Sequence, residues 1–334
     1  MRTSFQLWAL RCQLLINFAF EMKKSLLQMH AAVLLWGFTG VLGRQITLDA
    51  PVLVWYRMLL TAVFMAVILF YRKQWVKIST RDMLQLIVVG CLIGLHWVAF
   101  YAAIKFANVS IALVCLSTAS VFTSLLDPLV NKGKYDLKEM ALGTLALVGV
   151  YLIYSFQVFY ATGIVLGVIA AILSSVFTVL NKGIASKYPS RTMVFWEMLS
   201  GWGLISIAIG VMLAMGLEKY LVSPDRVGMS LQLLPTNGDW IWLVLLSLCC
   251  TVWAQSLALS ALKKLSSFTV TLSVNLEPVY GIILAFIFFH ENNQLHPGFF
   301  IGMGLICLSV VLQMFRLIKP SMSPGFVKEK GGLD

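Results

Sequence analysis

Apolar residues run through this chain in blocks of about twenty, separated by short polar connections. A helix needs about 20 mainly apolar residues to cross the hydrocarbon core of a bilayer. Ten segments meet that length: 25–44, 51–71, 83–105, 108–130, 139–157, 161–181, 192–216, 239–262, 266–289 and 297–317. The longest connection, 217–238, carries Pro224, Pro235 and Gly238 without a helical period, so a loop is expected there. Residues 1–21 fit no span, because their apolar run is short, stops at Glu21 and has no small-residue cleavage site. They are expected to be an extension. Either the start is placed upstream of a natural one at Met22-Lys23-Lys24, or the segment is an amphipathic cytoplasmic lead-in.

Composition narrows the class. The 334 residues are 60% hydrophobic and 12% charged, with a mean hydropathy of +0.88. Soluble domains average roughly 45–50% apolar and about 25% charged residues, so too little polar surface remains here to coat a globule. An all-α membrane protein is the class that fits. The net charge of +11 would suggest nucleic acid in a soluble chain, but its distribution is that of a membrane topology. Counting alternate connections, one side of the spans collects eighteen Lys and Arg, or twenty with Arg2 and Arg11. The other side holds Arg44, Lys105, Lys219 and Arg226, and only Arg57 lies inside a span. Both termini are therefore expected in the cytoplasm, and nucleic acid is not a partner. The six cysteines sit in or beside apolar runs with no metal or CxxC spacing and are read as small core residues.

The chain also resembles itself. VLGRQI (41–46) recurs as VLNKGI (179–184), WYRML (55–59) as FWEML (195–199), and AIKFANVS (103–110) as ALKKLSSF (261–268). Five spans per half is an odd number, so the second copy would enter the membrane upside down. Lys105 accordingly falls on one side and its counterpart Lys263 on the other. Inverted repeats of this kind are a transporter architecture with the substrate site near the midplane. The expected organisation is residues 1–21 as extension, 22–158 and 159–319 as two five-helix repeats, and 320–334 as a cytoplasmic tail.

Three stretches carry a family resemblance: LLWGFTGVLGR in the first span, WYRMLLTAV in the second, and ALKKLSSFTVTLSVNLEPVYGIILAFIFFHE across the eighth and ninth. With the ten-span, two-half plan they resemble the EamA-type branch of the drug/metabolite transporter superfamily over roughly residues 25–317. The first half departs from the pattern, with Ala119 and Ser120 where the second half has Glu277 and Pro278. The resemblance implies a secondary transporter, often an exporter of amino acids, other metabolites or drugs.

No phosphate-binding GxxxxGK[ST], HExxH or GxSxG motif occurs, so no cofactor and no metal are expected. An intramembrane enzyme, with Glu277 and His96 as its pair, is the weaker class, and so is a channel, since one asymmetric chain offers no ring of like residues. A family member moving sugar-type substrates is the other alternative.

Polar residues inside the spans form stripes. Ser266, Thr269, Ser273, Glu277 and Tyr280 fall within about 80° on the ninth span at 100° per residue. Ser110, Ser117, Ser120, Ser124 and Asp127 repeat the arrangement on the fourth. Ser174, Thr178 and Asn181 line the sixth, and Trp36, Gly40 and Gly43 hold the equivalent places in the first. His96, Trp97, Phe100 and Tyr101 come from the third span, and Thr251, Trp253 and Gln255 from the eighth. Each hydroxyl could as well join two helices, whereas facing stripes together suit a cavity. The expected cavity set is Glu277, Pro278, His96, Trp97, Tyr101, Ser117, Ser120, Trp36, Ser174, Thr178, Trp253, Gln255, Ser273, Asn275 and Tyr280, with Arg57 and Glu197 as separate gate residues near opposite mouths.

The expected protein is a ten-helix secondary transporter of the bacterial inner membrane, with a small amphipathic substrate and protons as one coupling choice. Glu277 beside Pro278 at mid-span is its central puzzle, since lipid exposure of the carboxylate would cost about 2.5–3.5 kcal/mol or more. The charge asymmetry makes a direct prediction. With Lys134→Cys or Lys187→Cys, an impermeant thiol reagent should leave intact cells unlabelled, while a cysteine in the loop near residue 228 should label. Labelling at 134 or 187 from outside would reverse the orientation.

Overall fold

The computed structural model describes residues 2–156, 160–222, 230–274, 276–290 and 295–318. Among these the regular structure is entirely helical: α1 Arg2–Gln45, α2 Ala50–Tyr71, α3 Thr80–Phe106, α4 Val109–Leu116, α5 Ala119–Val130, α6 Leu137–Phe156 and α7 Ala161–Ala185. There follow α8 Ser190–Ala214, a 3-10 turn Glu218–Tyr220, α9 Asn237–Ser247, a π-helical stretch Leu248–Trp253, α10 Ala254–Leu262, α11 Ser267–Val274, α12 Glu277–Phe289 and α13 Pro297–Ile318. Seven of the described helical segments are long and apolar enough to cross a membrane: 21–45, 50–71, 80–106, 109–130, 161–185, 190–214 and 237–262. The chain is an all-α, multi-pass membrane protein. Where the sequence sets residues 1–21 apart, α1 continues through them without a break. The 320–334 tail and the loop tip at 223–229 lie outside the described residues.

Local chemistry sets the helix limits. Ser79 accepts from the Asp82 N–H at the start of α3, and Asn108 accepts from the Ile111 N–H at the start of α4. Thr236 and Asp239 form a reciprocal capping box on α9.

Two spans are broken, and they correspond. The second pair of helices starts 158 residues after the first, Ser267 after Val109 and Glu277 after Ala119. In the first half the Ser117 and Thr118 hydroxyls turn back onto the carbonyls of Val114 and Cys115, at 2.6 and 2.7 Å, and compete with the helical ladder. In the second half Pro278 ends up as the second residue of α12, where its missing N–H leaves no helical bond unmade. The sequence expects a weakened or kinked helix at this proline; the chain has instead stopped one helix and started another.

Packing between the halves comes in exchanged pairs. The third span packs on the sixth as the eighth packs on the first, and the third packs on the seventh as the eighth packs on the second. α6 and α13, last in each half, pack on one another. Small residues permit the closest crossings. A Cβ on Gly90 would lie 2.2 Å from the Glu197 carbonyl oxygen, and one on Gly302 would lie 2.4 Å from that of Gly149.

Candidate functional site

Eight elements line a central cavity of about 760 Å³, counted with its solvent-open part. Helical periodicity explains which residues reach it. From α7 come Ser174, Phe177, Thr178 and Asn181, and from α10 Gln255, Ala258, Leu259 and Leu262, each set spaced i, i+3, i+4, i+7. Val270, Thr271 and Val274 of α11 lead to Glu277 at the start of α12. Trp36 and Thr39 of α1, Arg57 of α2, His96, Trp97 and Phe100 of α3, and Leu116 of α4 complete the wall.

Arg57 is the best-tethered side chain in this wall. It is 1% exposed, donates from Nε to Thr251 Oγ1 at 2.9 Å and from Nη1 to the Tyr101 hydroxyl at 2.8 Å, and lies 3.7 Å above the Trp97 ring. The π-helical stretch supplies a further acceptor. Its shifted ladder bonds the Ala254 N–H to the carbonyls of Cys249 and Thr251, so the Cys250 carbonyl receives Trp36 Nε1 at 3.0 Å and Arg57 Nη2 at 3.4 Å. π-turns recur at functional sites because they free backbone groups in this way. All these partners are neutral. Arg57 has no carboxylate within ion-pairing distance among the described residues.

Glu277 stands in the same cavity, 5% exposed. The residue that caps α12 is Leu276, with no side-chain cap bond, and Glu277 itself forms no hydrogen bond or ion pair with a described residue. The acidic group is thus not tied up as a cap on the broken helix. The guanidinium of Arg57 lines the same cavity.

The structure sorts the residues expected from sequence. Glu277, His96, Trp97, Trp36, Ser174, Thr178 and Gln255 line the cavity, and Tyr101 touches it through Arg57. His96 lines it while its Nδ1 lies 2.7 Å from the Ala170 carbonyl oxygen and its ring stacks on Phe100. Ser117, Ser120 and Ser273 do not line it. Their hydroxyls donate to the carbonyls of Val114, Ser117 and Thr269 on their own helices. Tyr280 packs on Gly37, and Pro278 is buried without lining the cavity. Trp253 faces the outside of the bundle and is 53% exposed. Asn275 lies outside the described residues.

Arg57 and Glu197, expected as separate residues near opposite mouths, do lie apart: Arg57 lines the cavity wall and Glu197 does not. Glu197 does have surroundings of its own: it is wholly buried on α8, beside Asn181 and against the Gly90 backbone. Thr39, Phe177 and Thr271 are cavity residues that sequence reasoning did not select.

Apolar helices long enough to cross a bilayer, packed around a central cavity, define a multi-pass membrane protein. The sequence profile of the EamA-like transporter family matches the chain twice, over residues 23–155 and 161–315. The chain belongs to that family. It is 22% identical over 300 residues to the "Uncharacterized transporter YxxF" of Bacillus subtilis, covering 87% of this chain and 90% of the relative. It is also 26% identical over 264 residues to an "Uncharacterized transporter" of Archaeoglobus fulgidus, covering 77% of this chain and 84% of that one. A solved crystal structure shares the fold, with a TM-score of 0.64 at 15% identity over 89% of this chain and 99% of the other.

The cradle of Arg57 is specific to a planar fork. Arg57→Lys keeps the charge but cannot reproduce the stack on Trp97 together with bonds to Thr251, Tyr101 and Cys250. Loss of one or two charge-assisted bonds should destabilise the fold by about 2–4 kcal/mol, read as a lower thermal unfolding midpoint in detergent. An unchanged midpoint would show that the fork is not needed.

Proposed function

We propose that this transporter is a secondary exporter of a small amphipathic solute, working by alternating access at the central cavity. The observation that carries the reading is the carboxyl of Glu277, without a hydrogen-bond partner among the described residues, in a cavity that also holds Arg57 and the rings of Trp36, Trp97 and Phe177. An ionisable group at membrane depth marks a functional site. Two roles fit Glu277: it binds the amine of a zwitterionic substrate, or it takes up and releases a proton as the cavity changes the side it faces. Phosphorylated sugars fit less well, because one cation whose fork is already engaged by Thr251, Tyr101 and Cys250 makes a poor phosphate clamp.

In this reading ten helices cross a bacterial inner membrane as two inverted repeats, with both termini in the cytoplasm. The paired helix breaks at Ser117–Thr118 and just before Glu277 support it, since discontinuous helices at matching places mark transporter sites. At the opposite end of the bundle from Lys182 and Lys263, Thr47 donates to Asp239 through its N–H at 2.7 Å and its hydroxyl at 2.8 Å, and Tyr56 bonds the Leu233 carbonyl. These contacts favour a state closed on the loop side, with the cavity reaching toward Asn181 and Leu262 on the lysine-rich side.

Purified protein in liposomes, screened against amino acids and amphipathic amines with and without a pH gradient, tests the proposal. Glu277→Gln keeps size and most hydrogen bonding but removes the charge. It should fold normally and lose transport, or transport without responding to pH. Full, still pH-dependent transport by Glu277→Gln would remove Glu277 from the mechanism.

A further inference from the structure

A second concavity lies on the outer face of the bundle, between α1, α2, the start of α8 and α10, and encloses about 1430 Å³ counted with its open part. Its two ends differ in chemistry. Arg72, Gln74, Arg191, Lys263 and Gln28 gather at one end, and Leu35, Met65, Ile68, Val252 and Trp253 form the other. No acidic residue is among those that line it. Among the described residues, Arg191 Nη1 donates to Gln74 Oε1 at 3.1 Å and Lys263 Nζ to the Tyr188 carbonyl at 2.9 Å, both neutral acceptors. The serines between the ends are quiet. Ser256 donates to the Val252 carbonyl, and Ser260 to that of Ser256.

The length of the groove is informative. From Lys263 to Val252 it follows the helix for about 15 Å, half of a hydrocarbon slab of about 30 Å. From Arg72 to Met65 it follows α2 for about 10 Å. The polar end therefore sits at the lysine-rich surface of the membrane and the apolar end near its middle. Trp253, half exposed and turned out of the central cavity, closes the deep end. A cationic rim over an apolar channel one leaflet deep matches one class of molecule.

We propose that this groove holds one anionic phospholipid of the lysine-rich leaflet, its phosphate among Arg72, Arg191 and Lys263 and an acyl chain along Leu35, Ile68 and Leu257. Basic pockets between transmembrane helices bind such headgroups by the same electrostatics. α10 gives Leu257 to the groove and Ala258 and Leu259 to the central cavity, so a lipid seated here would lie against the helix that forms one wall of the transport site.

The test uses the full-length protein, delipidated in detergent and titrated with phosphatidylglycerol or phosphatidylethanolamine, with bound lipid counted by native mass spectrometry. Phosphatidylglycerol should bind at one per chain and more tightly than phosphatidylethanolamine. Arg72→Gln with Lys263→Gln should weaken it about thirtyfold, roughly fivefold for each basic residue removed. Ser256→Phe, which fills the groove and leaves the charges in place, should also displace the lipid. Lys132→Gln with Lys134→Gln, outside the groove, should leave binding unchanged. Equal binding of the two lipids, or phosphatidylglycerol retained by both groove variants, would overturn the proposal. So would displacement of the lipid by millimolar inorganic phosphate, which would mark a free-anion site, or a dimer dissolved by the groove variants, which would mark a second copy of this chain as the occupant.

Discussion

A guanidinium set at membrane depth with no carboxylate beside it has to be satisfied by neutral groups, and the second, third and eighth spans are arranged to do that for Arg57. Water cannot supply those partners in a hydrocarbon slab, and an isolated buried charge costs far more than one hydrogen bond returns. The solution draws on two neighbouring spans: the Tyr101 hydroxyl and the face of Trp97 from the third, and the Thr251 hydroxyl from the eighth. The fourth contribution, the Cys250 carbonyl, exists only because α9 and α10 are joined by a π-helical stretch instead of a continuous α-helix. The same carbonyl receives Trp36 Nε1, so one irregular turn ties the first, second and eighth spans together at the cavity wall.

With Arg57 satisfied locally, Glu277 is left to the cavity. This division distinguishes the site from a structural ion pair: an acidic and a basic group share one cavity and, among the described residues, make no direct contact. The broken helix before Glu277 serves the same end. By starting α12 at Glu277 the chain places the carboxylate at a helix N-terminus, where the exposed N–H groups favour negative charge. The matching break before Ala119 carries no charge, and that span gives the cavity only Leu116. The two halves thus share their backbone plan and differ in chemistry.

The helical, membrane-spanning character was legible, because long apolar blocks have no other stable form in a bilayer, but the breaks inside the fourth and ninth spans were not. The correspondence between the halves was legible too, from short matched strings. The site was legible in part. Period identifies residues that share a helix face, as with Ser174 and Thr178 on α7, but not whether that face meets a cavity or a neighbouring helix. Serine defeats the inference most readily, since Ser117, Ser120 and Ser273 satisfy their hydroxyls on their own backbones and need no cavity. Thr251, Trp253 and Gln255 could not all share one face, because a spacing of two turns about 200° on a helix. Gln255 faces the cavity, Trp253 faces out and Thr251 holds Arg57. Nothing in the string LCCTVW announces a π-turn, so the cradle of Arg57 could be read only in three dimensions.

The account rests on one cavity being opened in turn to the two sides of the membrane. The most direct measurement is a single cysteine at Thr178, in a chain otherwise free of cysteine, exposed to an impermeant thiol reagent in intact cells and in inverted vesicles during transport. Alternating access predicts labelling from both sides, slowed on both by a transported substrate. Labelling from one side only, whatever the substrate, would contradict it.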